Sequence, residues 1–251
     1  MGQLDGRVAI VTGGARGIGR EYSLGLAVEG AAVAIADLAD AGEVVAEIEA
    51  AGGRALAVRV DVSDAESTRE MATATASALG SIDILVNNAA YYTTVFRGPF
   101  DEIPVDEWDK AFAINVRGPW LCACAVAPYM RAAGYGKIIN IASMTVSDGT
   151  PGFMHYVTTK AAVTGLTRTL ARELGEHDIC VNTVTPDYIP HDADYAARQP
   201  EWLDNWIESG RCFKRKQVPS DMVGTVVFLA SSASDFVTGQ NVAVNGGRQF
   251  F

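Results

Sequence analysis

The chain has 251 residues, 49% of them hydrophobic and 20% charged, with a formal net charge of −10. This composition supplies one large globular core, and the negative balance excludes a nucleic-acid surface and an anionic membrane as partners. No window holds the roughly 18 uninterrupted apolar residues of a membrane span. The stretch Met1 to Gly6 lacks the basic and apolar regions of a signal peptide, so a cytoplasmic protein is expected. Cys122, Cys124, Cys180 and Cys212 show no metal-ligand spacing. They read as reduced thiols, and no metal is expected.

Arg7 to Thr12 is a short apolar run rich in β-branched residues, which predicts a buried strand. Gly13-Gly14-Ala15-Arg16-Gly17-Ile18-Gly19 follows, then a helical pattern through Glu29. Glycines at 13, 17 and 19 permit a tight turn and close backbone approach, and the helix N-terminus behind them suits a pyrophosphate. Ala31 to Ala36 predicts a second strand, closed by Asp37. A carboxylate there can accept both ribose hydroxyls of an adenosine and repels a 2′-phosphate, so NAD is expected over NADP even though Arg16 stands near. The competing role for Asp37, capping a helix that starts near Asp40, fits its position less well.

A helix from Asp40 to Ala51 leads to a strand over Arg54 to Val60, followed by Asp61-Val62. Asp61 reads equally as a partner for an adenine amino group and as a cap for the helix that follows. The helix Ala65 to Leu79 precedes a strand over Ile82 to Val86, which runs into Asn87-Asn88-Ala89-Ala90. Small and amide residues at that strand end let the chain pass close to a flat cofactor. Asp106 to Arg131 predicts one long helix with Asn115 inside it and Pro128 near its end. A buried mid-helix amide must be bonded, either as a satisfied core group or as part of a water relay.

A strand over Lys137 to Ala142 delivers Ser143, and thirteen residues on comes Tyr156-Val157-Thr158-Thr159-Lys160. Four apart on a helix, Tyr156 and Lys160 share a face. A free phenol, with a pKa of about 10, needs roughly 4 kcal/mol of differential stabilisation to take a proton near pH 7. A neighbouring ammonium and an oxidised nicotinamide, both cationic, can supply it in a dry cleft. The helix continues through Leu174, and a strand over Ile179 to Thr185 ends at Pro186-Asp187-Tyr188-Ile189.

Residues 190 to 217 break the alternation with Pro190, Pro200, Tyr195, Trp202, Trp206, Phe213 and the bases Arg211, Lys214, Arg215 and Lys216. We read about 187 to 217 as a lid over the substrate pocket, with Trp202 and Trp206 on one helix face. A surface hairpin or subunit contact is the plainer alternative. The basic cluster raises an anionic substrate as a weaker idea beside solvated charge. A helix over Ser220 to Ala230 and a strand over Asn241 to Asn245 complete the chain.

Strand and helix alternate throughout without a linker, which predicts a single α/β domain over 1–251, doubly wound around a parallel sheet of about seven strands. Gly13, Asp37, Asp61, Asn88, Ser143 and Pro186 all fall at strand C-terminal ends, where such folds bind ligands.

With these residues placed, the chain resembles the short-chain dehydrogenase/reductase family over essentially its whole length. The resemblance rests on Thr12-Gly13-x-x-x-Gly17-x-Gly19, Asp37, Asp61-Val62, Asn87-Asn88-Ala89, Asn115, Ser143, Tyr156-x-x-x-Lys160 and Pro186. It implies an NAD(P)-dependent enzyme that interconverts an alcohol and a carbonyl, usually as a homotetramer. It implies that Tyr156 is the general acid/base, that Lys160 lowers its pKa and holds the nicotinamide ribose, that Ser143 binds the substrate oxygen and that Asn115 supports a relay water. Cofactor contacts are implied at Gly13, Arg16, Gly17, Ile18, Gly19, Asp37, Asp61, Val62, Asn88, Ala89, Tyr156, Lys160, Pro186 and Ile189. More narrowly, Ala27 to Ala31 and Ala34 to Leu38 look like bacterial 1-phenylethanol dehydrogenases, which implies a secondary alcohol bearing an apolar or aromatic group.

The expected pocket walls are Tyr91, Tyr92, Met144, Phe153, Tyr188, Trp202 and Trp206. Four positions depart from the family pattern: Ala90 and Asp187 stand where glycine is usual, His191 where threonine is usual and Asn245 where aspartate is usual. The alternatives are an NADPH-dependent carbonyl reductase and a non-catalytic NAD-binding sensor or structural subunit. The intact Ser-Tyr-Lys set opposes the latter.

Overall fold

The computed structural model describes residues 2–190 and 201–250. Its strands are β1 (Val8–Thr12), β2 (Ala32–Asp37), β3 (Ala55–Arg59), β4 (Ile84–Asn87), β5 (Gly136–Ile141), β6 (Ile179–Pro186) and β7 (Asn241–Val244). All seven pair in parallel in the order β3-β2-β1-β4-β5-β6-β7. Winding runs outward from β1 to β3, then restarts on the other side at β4. The direction therefore reverses between β1 and β4, which opens a crevice at their C-terminal ends.

Period-two alternation divides the core between the sheet's faces. Ala9, Val11, Val33 and Ile35 pack with Tyr22 and Leu26 of α1 (Gly17–Val28), Val44 and Ile48 of α2 (Gly42–Ala50) and Met222 and Val226 of α9 (Ser220–Ala230). Ile10, Ala34, Leu85 and Ile138 point the other way. They meet Met71 of α3 (Ala65–Leu79), Val126 and Met130 of α5 (Gly118–Ala133) and Leu174 of α7 (Met154–Leu174). Strands covered on both faces read as continuous apolar runs, and β1 is buried at every residue.

The expected long helix is interrupted. It comprises α4 (Val105–Phe112), a π-helical turn at Ala113–Arg117, and α5, with Asn115 at the centre of the π turn. A short helix α6 (Thr145–Asp148) follows Ser143, and α8 (Glu201–Gly210) occupies the region read as a lid. His191, Tyr195 and Pro200 lie outside the described residues.

Candidate active site

A cavity of about 790 Å³ opens at the C-terminal ends of the central strands. Its floor is the glycine turn. Gly13 adopts φ +64°, and a Cβ there would sit 2.9 Å from Ala89 Cα, so the turn after β1 and the end of β4 touch backbone to backbone. Thr12 and Asn88 lock them together. Thr12 Oγ1 accepts the N–H groups of Asn88 and Ala89 at 3.1 Å each, and Asn88 Nδ2 donates to the Thr12 and Gly13 carbonyls at 3.0 and 3.1 Å. The Asn88 amide therefore serves the turn itself. Helix α1 starts beyond Arg16 with no side-chain cap, and Arg16, Gly17, Ile18 and Gly19 line the cavity. An uncapped helix start with its positive dipole end on a cavity is suited to a pyrophosphate.

The Asp37 carboxylate lies on the cavity wall, where Oδ2 accepts Ala15 N–H (3.1 Å) and Oδ1 accepts Ala39 N–H (3.0 Å). It does not cap α2. Asp61 lines the cavity too, and its Oδ1 accepts both Ser63 N–H (2.9 Å) and Ser63 Oγ–H (2.7 Å), while Asp64 is the residue that caps α3. Val62, Ala89, Pro186 and Ile189 also form the wall. The expected cofactor positions thus surround one space whose glycine turn, helix start and carboxylate suit a dinucleotide.

Ser143, Tyr156 and Lys160 line this same cavity. Tyr156 and Lys160 are 6% and 4% exposed, with Lys160 Nζ 5.8 Å from the Tyr156 ring centroid. Nζ donates to the Ile141 carbonyl at 2.7 Å, and burial pushes the ammonium down from 10.5 to about 8. Ser143 Oγ accepts from Thr145 N–H (3.3 Å) and Thr145 Oγ1 (2.9 Å), which fixes the hydroxyl at the start of α6. The Tyr156 ring lies between Tyr92 and Phe153, at centroid distances of 4.8 and 5.4 Å.

Asn115 sits behind the wall. Its Oδ1 accepts Tyr91 N–H (2.7 Å), and its Nδ2 donates to Tyr91 O (3.2 Å) and Thr159 Oγ1 (3.1 Å). Both ends of the amide are engaged, tying the loop after β4 to α7. Glu107 adds to this by accepting from the Tyr91 hydroxyl at 2.8 Å. The single-helix expectation fails here: the buried amide sits at the centre of a π turn, a distortion that often marks functional sites.

One expectation about the lid is corrected. Trp202 is 64% exposed and does not line the cavity; Leu203, Trp206 and Ile207 do. Of the basic cluster, the two arginines are held in ion pairs. Arg211 is buried on Asp187 (2.8 Å), Arg215 pairs with Asp221 (2.6 Å), and Lys214 donates to Ser209 O (2.7 Å). Tyr91, Tyr92, Met144, Phe153 and Tyr188 do line the cavity, joined by Arg97, Thr145, Asp148 and Arg248, which the sequence reading missed. His191 cannot be placed among the described residues.

A family model described as enoyl-(acyl carrier protein) reductase matches residues 13–249. The 3-oxoacyl-(acyl-carrier-protein) reductase FabG of Staphylococcus epidermidis is 40% identical over 95% of this chain and 97% of its own. The short chain dehydrogenase/reductase astE of Aspergillus oryzae is 38% identical over 97% and 95%. The crystal structure of a gluconate 5-dehydrogenase from Burkholderia cenocepacia, in complex with NADP and tartrate, superposes with a TM-score of 0.91 at 34% identity, covering 98% of this chain and 96% of that one. The chain belongs to the short-chain dehydrogenase/reductase family and is an NAD(P)-dependent oxidoreductase acting on CH–OH and carbonyl groups.

Proposed function

We propose that the protein uses NAD to interconvert a secondary alcohol carrying an apolar or aromatic group and its ketone. The observation that carries this reading is the Tyr156–Lys160 pair, buried on one face of α7 at the cavity and flanked by aromatic rings. A bound nicotinamide supplies the hydride acceptor for the carbinol carbon. In the oxidising direction, Ser143 holds the substrate oxygen with its hydroxyl, and Tyr156 Oη takes the proton of that oxygen. The charge on Lys160 favours the phenolate that must receive it. Asn115 keeps Tyr91 and α7 in register, so the wall beside Tyr156 holds its shape. Tyr92, Phe153, Met144, Leu203 and Ile207 exclude water from the reacting carbon and favour an apolar substituent.

The Asp37 carboxylate supports NAD, since a 2′-phosphate would meet it at the end of β2. A second reading, an NADPH-dependent carbonyl reductase, draws on the NADP held by the Burkholderia relative and on Arg16 at the cavity mouth. A panel of secondary alcohols assayed with NAD and with NADP separates the two. NADH formation on aryl or alkyl carbinols, with NADP at least about 10-fold poorer in kcat/KM, supports the first. A clear NADP preference supports the second. The same reading includes a homotetramer, for which exposed Val105 and Trp120 on α4 and α5 offer apolar contact surface.

A further inference from the structure

We propose that Arg248, near the C-terminus, is the specificity-determining residue at the substrate end of the cavity, where it also positions α8. The inference rests on the alcohol dehydrogenase reading above. The chain delivers Arg248 there by a built turn after β7. Asn245 Oδ1 accepts Gly247 N–H (2.9 Å), and its Nδ2 donates to Gln249 O (2.9 Å). An aspartate at 245 could not make the second bond, because it has no N–H. Gly247 adopts φ +75°, and a Cβ on it would lie 2.7 Å from Cys212 Sγ, so the turn is pressed against the segment after α8.

Arg248 then bridges three parts of the cavity. Nη1 donates to Asp187 Oδ1 and Nη2 to Asp148 Oδ2, both at 2.7 Å, and the guanidinium lies 4.8 Å from the Trp206 ring centroid. The remaining oxygens of the two carboxylates are also occupied. Asp187 Oδ2 accepts from Arg211 Nε (2.8 Å), and Asp148 Oδ1 accepts from Gln249 Nε2. Two carboxylates and two guanidiniums therefore cancel, with the Asp187 and Arg211 side chains 1% and 3% exposed.

A planar guanidinium that bridges two carboxylates fixes position as well as charge. Asp148 follows Ser143 on α6, Asp187 follows Pro186 at the end of β6, and Trp206 belongs to α8. One guanidinium thus sets the distance between the serine side of the cavity and the helix above it. It presents a neutral, filled end wall to the substrate. The departures at 187 and 245 are parts of this clamp.

Oxidation of 1-phenylethanol and its bulkier naphthyl analogue, with NAD, tests the idea alongside hydrogen exchange of residues 201–210. Arg248→Ala is expected to raise the KM for 1-phenylethanol about 10-fold while kcat stays within about 3-fold, and to shift the kcat/KM ratio toward the naphthyl alcohol. Exchange in α8 quickens while exchange in α7 does not. Arg248→Lys recovers part of each effect, and Arg215→Ala, an exposed arginine paired with Asp221, produces neither. An unchanged substrate ratio, or unchanged α8 exchange, overturns the proposal. If the wild type oxidises no secondary alcohol, the alcohol reading falls and α8 exchange alone decides the role of Arg248. If Arg248→Ala does not fold, Arg248→Lys, which keeps the charge but cannot bridge both carboxylates, must show the α8 exchange and substrate-ratio effects in the same direction.

Discussion

Replacing Lys160 by Met should make the folded protein more stable at neutral pH and much less active. The ammonium is buried beside α7, and burial brings it from 10.5 down to about 8. A folded-state value below the unfolded one means that the charged lysine opposes folding. The cost is complete below pH 8, shrinks as pH rises, and is gone above the unfolded value of 10.5. A drop of this size corresponds to about 3 kcal/mol. Methionine keeps an unbranched apolar stem of similar length, but leaves the Ile141 carbonyl without the 2.7 Å bond from Nζ, a loss of about 1–2 kcal/mol. The variant should therefore gain roughly 1–2 kcal/mol at pH 7, worth about 2–8 °C in Tm for a chain of this size. Urea unfolding of both proteins without cofactor, at pH 7, 8.5 and 10.5, checks it. The advantage must shrink with rising pH and reverse near pH 10, where a neutral lysine still donates to Ile141. A variant less stable than wild type at pH 7, or a difference that ignores pH, would refute the reasoning. Activity should fall by about 10²-fold or more, because the phenolate loses its neighbouring charge.

Two further outcomes follow from single contacts. The Tyr22 hydroxyl is fully buried with no hydrogen-bond partner among the described residues, and burial raises its pKa well above the ordinary phenol value. Tyr22→Phe should stabilise the fold by about 1 kcal/mol in urea unfolding with turnover unaltered, and destabilisation would point to an unseen partner. Asp37→Ser removes the carboxylate that accepts Ala15 and Ala39 N–H, so the kcat/KM ratio of NAD to NADP should drop by at least about 10-fold; an unchanged ratio removes Asp37 from cofactor choice.

The central strands were readable because they are covered on both faces and so appear as largely apolar runs such as Val8–Thr12 and Ile138–Ile141. Chemistry-bearing residues at the ends of those runs then fell together at the cavity without knowledge of any angle. What sequence could not supply was partner choice across long separations. Arg248 meets Asp187 and Asp148, which lie 61 and 100 positions upstream, and nothing local marks it. Trp202 was misplaced because a helix carrying Trp202, Leu203, Trp206 and Ile207 has two possible apolar phases, and only the neighbouring cavity selects 203, 206 and 207. The π turn escaped for a similar reason. Its central residue, Asn115, is bonded to the Tyr91 backbone 24 residues away, a partner that local sequence does not mark.

The most direct test of the account is the turnover of Tyr156→Phe, measured as NADH formation from the best alcohol of the panel. The substitution removes one hydroxyl and leaves the ring between Tyr92 and Phe153. If Tyr156 Oη receives the proton, kcat falls by at least about 10²-fold while NADH binding, followed by fluorescence, changes less than about 3-fold. A kcat within about 3-fold of wild type would place the proton acceptor elsewhere and contradict the mechanism.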